Sequence, residues 1–66
     1  MNNALNMLNE HLKYLTERKQ ELSAKLDELI NNKAKVKEYY RLRGWFEMVV
    51  LEILDIKALI RKLENG

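Results

Sequence analysis

The sequence predicts an all-α protein: an antiparallel helical hairpin with coiled-coil-like seams that dimerises into a four-helix bundle. Three observations predict it. Proline is absent and glycine stands only at 44 and 66, so little interrupts a helix or favours a β-turn. Apolar residues recur in alternating steps of three and four along two segments, the spacing that lines one stripe of an α-helix. The two stripes are out of phase by one residue, and one uninterrupted coiled coil does not change phase without a local distortion.

The first stripe is Leu5, Leu8, Leu12, Leu15, Leu22, Leu26 and Leu29, and predicts a helix over about 3–30. Lys19 fills the gap between Leu15 and Leu22. A lysine within such a seam lowers stability and can fix register or partner number; the plainer reading lays its stem along the apolar groove with the amine in water. Glu21 and Lys25 stand in the favourable i,i+4 order, worth about 0.2–0.5 kcal/mol.

Two turns compete. Asn31-Asn32 lies between the stripes, and asparagine both tolerates the left-handed conformation that ends helices and serves as an N-cap. Gly44 is the rival, because Lys37, Arg41 and Arg43 before it suit a helix C-terminus. Dipole effects at exposed ends are worth about 0.3–1 kcal/mol, whereas burying one seam residue is worth about 1.5–3 kcal/mol. Tyr39 and Leu42 belong to the second seam, which therefore runs through Gly44 and favours the turn at 31–32.

The second helix is then expected over about 33–64, with the unbroken seam Tyr39, Leu42, Phe46, Val49, Ile53, Ile56, Ile60 and Leu63. Trp45, Met48, Val50, Leu51, Leu54, Ala58 and Leu59 lie outside that seam. A helix that is apolar nearly all round belongs in the middle of a larger core. The second helix is therefore expected to pack on its own first helix and on a second copy. Tyr39, Leu42, Trp45, Phe46, Met48, Val49, Leu51, Ile53, Ile56, Ile60 and Leu63 are the expected oligomer or partner interface.

Size points the same way. A single domain of 66 residues is marginal alone. Small scaffolds gain stability from disulfides, a metal or partner subunits. Cysteine is absent and His11 is the only histidine, which leaves oligomerisation. Met1-Asn2-Asn3 is polar and no basic segment leads into an apolar run, so no secretory leader is expected. The apolar stretch from Trp45 to Ile60 is broken by Glu47, Glu52, Asp55 and Lys57 and does not make a bilayer span. A cytoplasmic location is expected.

Catalysis is not expected. No cysteine nucleophile exists, Ser23 and Thr16 lack an orienting partner set, and the glycine count excludes a phosphate-cradling loop. No cofactor or metal is expected. His11 flanks Leu12 and reads as a half-buried residue at the coil edge; Glu52 and Asp55 read as solvent-facing or as partners for cations on a neighbouring chain.

The net charge is +2, and its distribution is uneven. Residues 33–43 hold Lys33, Lys35, Lys37, Arg41 and Arg43 against Glu38 alone, whereas the segments on either side are each slightly acidic. Lys33, Lys37 and Arg41 are expected on one helix face, with Tyr40 at its border and Trp45 one turn beyond. Such a band can neutralise phosphates or meet an acidic protein surface, with Lys33, Lys37, Tyr40, Arg41 and Arg43 as the contacting set. The plain alternative is a solvated charged face.

The leading expectation is a non-enzymatic helical interaction module: a small adaptor, regulator or assembly component that is a homo-oligomer, with a dimer favoured, and has a protein partner. The second is a nucleic-acid-binding regulator acting through the basic band. At the level of architecture this chain resembles the small plasmid-encoded RNA-binding proteins built as dimers of helical hairpins, a likeness of fold that implies nucleic-acid binding by the paired bands. Membrane-surface association ranks last, because the seam already claims the apolar face opposite the lysines.

Overall fold

The computed structural model describes residues 3–65, so Met1 and Asn2 at the amino end, and Gly66, lie outside the described residues. Two long helices make up the fold. Helix α1 runs Asn3–Leu29, a short 3-10 turn spans Lys33–Lys35, and α2 runs Val36–Asn65. The described residues contain no strand. The two helices pack along each other as a hairpin, a rod of 51 × 14 × 12 Å.

The chain reverses at Ile30–Asn32. The Ile30 amide still donates to Leu26 O at 2.9 Å, and the Asn32 amide to Leu29 O at 2.9 Å, which tightens the end of α1. Asn32 then turns to extended backbone, with φ −101° and ψ 96°. Its side-chain oxygen accepts from the Ala34 amide at 3.1 Å. This is the N-cap role of asparagine, and no non-glycine residue among those described has a positive φ, so the left-handed route is not taken. Gly44 lies inside α2, eight residues past its start, and helix continues on both sides of it.

The second helix begins differently from the sequence expectation. Residues 33–35 form a 3-10 turn and the α-helix starts at Val36. The N-cap bond from Asn32 reaches an amide only two residues on, which closes a tight turn before the wider α-helix can form. Charges suit the ends of α2, with Glu38 in its first turn and Lys62 in its last. The first turn of α1 has no acidic residue and its last turn no basic one.

The core is narrow. Leu15 and Leu22 of α1 meet Val49 and Ile53 of α2, with Leu12, Leu42, Phe46 and Ile56 packed around them. Ile60 is the fifth buried apolar side chain. Lys19, at the gap in the first seam, is exposed. Thr16 and Asn9 turn their side chains back onto the Leu12 and Leu5 carbonyls, at 2.8 and 3.0 Å.

Candidate functional site

The residues expected to form an interface divide into two sets. Val49, Ile53 and Ile60 are buried against α1, and Tyr39, Leu42, Phe46 and Ile56 are half-buried. These are taken up within one chain. Trp45, Met48 and Leu51 remain exposed, by 50%, 63% and 61%, and Leu63 at the open end of the hairpin by 39%. Leu54 and Leu59 of α2 are exposed as well.

The exposed residues of α2 do not stand alone. The Arg18 guanidinium of α1 lies 4.9 Å from the centroid of the Trp45 ring, so these two side chains lie on one side of the hairpin. Towards the open end, Ala4, Met7, Leu8 and His11 of α1 line an apolar groove with Leu59 and Leu63 of α2. Met7 and Tyr14 are exposed, and the His11 and Tyr14 rings stack with centroids 6.3 Å apart. On this side of the hairpin α2 therefore carries two apolar patches, Trp45 with Met48 and, towards the open end, Leu59, separated by the exposed Glu52 and Asp55.

The basic band is placed differently from the expectation. Lys33 sits in the 3-10 turn, which rises faster and winds tighter than an α-helix, so it does not extend the α2 face on which Lys37 and Arg41 stand. Lys37 and Arg41 are exposed. Arg43 turns to Glu47 on its own helix, at 3.4 Å. Tyr40 is exposed and meets Tyr39 edge-on, with centroids 5.5 Å apart. Trp45 is engaged by Arg18 rather than standing free beside the lysines.

Arg18 is the side chain that sequence reading missed. It was invisible there because the ion pair was assigned to Glu21 and Lys25; the structure pairs Glu21 with Arg18 instead, at 3.0 Å. The one signal for it is its position, next to the seam and facing the side from which Trp45 approaches. His11 is exposed rather than half-buried, since the Leu12 side chain, not the ring, turns inward. Glu52 and Asp55 are both exposed. No group of three potential metal-ligating residues comes together among the described residues, and none of the described helices is long and apolar enough to cross a membrane.

No protein-family model matches this chain, and neither a curated protein nor a solved structure matches it.

Proposed function

We propose that the protein is a non-enzymatic helical interaction module that works by bundling with further helices, most simply as a homodimer of hairpins in a four-helix bundle. The observation that carries this reading is an excess of surface. The chain exposes 5579 Å². A compact monomer of its 7.9 kDa would expose about 4,400 Å². A standard interface takes about 800 Å² from each partner, so the excess is of the size that association removes. Large apolar side chains left exposed on α2 include Trp45, Met48, Leu51, Leu54 and Leu59.

Sedimentation equilibrium over a wide concentration range, with thermal melts at the same concentrations, tests this reading. Association and a melting temperature that rises with concentration are expected. A single subunit that melts cooperatively at every dilution overturns the reading.

One observation favours a second reading. Lys37, Arg41 and Tyr40 are exposed together at the turn end of α2, as a phosphate-binding band with an aromatic beside it would be. Binding of a structured RNA that weakens steeply with salt, and weakens further in Lys37→Glu/Arg41→Glu, would support it. Binding indifferent to salt would remove it.

A further inference from the structure

The exposed face of α2 is self-complementary. Arg41, Trp45, Met48, Glu52 and Asp55 follow one another in steps of four, three, four and three. Each stands one residue before a member of the buried seam: Leu42, Phe46, Val49, Ile53 and Ile56. One residue is about 100° around an α-helix, so this stripe lies roughly a quarter-turn from the face that α1 covers. A helix at the corner of a four-helix bundle meets its second neighbour at that angle.

Charge is ordered along the stripe. Arg41 stands toward the turn end with Lys37 beside it, apolar Trp45 and Met48 in the middle, and acidic Glu52 and Asp55 beyond; Glu38, the next step of the stripe, is the one acidic residue at the turn end. Lys37, Arg41, Glu52 and Asp55 are exposed, and no ion pair among the described residues engages them. Arg43 and Glu47, by contrast, take each other. A copy laid parallel on this stripe sets Arg41 against Arg41. A copy laid antiparallel sets Arg41 against Glu52 twice, because a two-fold axis makes each contact in duplicate; it also brings Glu38 level with Asp55, a like-charge approach that Lys37, beside Glu38, offsets.

We propose that the occupant of this face is a second copy of the chain, its α2 antiparallel to the first, with the two-fold axis passing between Trp45 and Met48. Trp45 of one copy then packs on Met48 of the other, a favourable thioether–aromatic contact. Arg41 meets Glu52 of the second copy, with Lys37 and Asp55 flanking that pair. The proposal rests on the interaction-module reading and adds to it the contact face, the direction and the register.

Two charge-reversed chains test it: Lys37→Glu/Arg41→Glu, and Glu52→Lys/Asp55→Lys. All four sites are solvent-exposed, and the helix content of each variant, read by circular dichroism, is a control for folding. Each variant alone is expected to self-associate about tenfold or more weakly than the parent, since like charges then oppose in duplicate. An equimolar mixture of the two restores association as a heterodimer, because each reversed arm then meets its complement. Sedimentation gives the stoichiometry, and Trp45 emission, the only tryptophan signal, moves to shorter wavelength as its ring is covered.

A parent that associates but is indifferent to both reversals overturns this register and leaves the interaction-module reading standing. So does a pair of weakened variants that does not recover on mixing. A parent that is a compact, cooperatively melting monomer at every concentration overturns both.

Discussion

Arg18 and Trp45 tie the two helices together outside the core: the guanidinium of one lies 4.9 Å from the ring centroid of the other. The same guanidinium donates to Glu21 at 3.0 Å, so its charge is held over the ring by a carboxylate on its own helix. A stacked cation of this kind is worth about 0.5–1 kcal/mol at an exposed site. Arg18→Ala is expected to cost about 1 kcal/mol, and Arg18→Lys to recover only part of it, because an ammonium lacks the planar stacking surface. A double-mutant cycle with Trp45→Leu, followed by urea denaturation, isolates the coupling. A coupling energy of zero would mean that the two side chains are merely adjacent.

Leu22 is the most enclosed residue of the core, at 2% exposure. Leu22→Ala removes most of a buried side chain and leaves a space between helices that have few other contacts with which to close it. Such changes cost about 2–5 kcal/mol. Few buried side chains support this hairpin, so a loss of that size is expected to unfold most of the population at room temperature. Loss of the helical circular dichroism signal is the readout. Leu22→Met, which keeps volume, is expected to remain folded and to lose less than about 1.5 kcal/mol.

The hairpin is legible in the sequence because its two halves carry separate seams. Leu15, Leu22, Val49 and Ile53 all belong to those seams, and all four are in the core cluster. The break in phase between the seams coincides with the reversal at Ile30–Asn32. The form of that reversal is not legible, since asparagine fits either the left-handed cap or the N-cap and only the backbone of Asn32 distinguishes them. The 3-10 turn at 33–35 follows from that cap and carries no periodic signal of its own, being a single turn. The candidate face is legible in part. Exposed apolar positions off the seam mark it, but seam periodicity alone does not say that α1 takes Val49, Ile53 and Ile60 while Trp45 and Met48 stay outside. Arg18 is not legible because Glu21 can pair with either Arg18 or Lys25 on its own helix, and only the opposite helix in place brings Trp45 to the Arg18 guanidinium.

Asn32 caps the start of the second helical segment through one bond from the Ala34 amide, at 3.1 Å. Replacing it by alanine leaves that amide to water and frees the turn. Asn32→Ala is expected to cost about 1 kcal/mol and Asn32→Asp nearly nothing, since a carboxylate accepts the same bond. Thermal melts at fixed protein concentration measure both. An equal loss in the two variants would show that the amide group of Asn32, rather than its accepting oxygen, matters at the turn.

Gly44 sits in the interior of α2, and nothing in the chain requires a glycine there. Apart from the adjoining residues and its own helix backbone, no atom lies within 4 Å of where a side-chain methyl would stand, and its backbone does not adopt a positive φ. Glycine in a helix interior is about 1 kcal/mol less favourable than alanine, through backbone entropy in the unfolded chain. Gly44→Ala is therefore expected to raise stability by about that amount, seen as a higher melting temperature at matched concentration. The residue stands one position before Trp45, at the margin of the face assigned to a second copy, where a methyl group has room on the solvent side. A fall in melting temperature would mean instead that another chain approaches the α2 backbone at 44 too closely to admit a side chain. That would move the contact around the helix, away from Arg41 and Glu52 and towards Leu51.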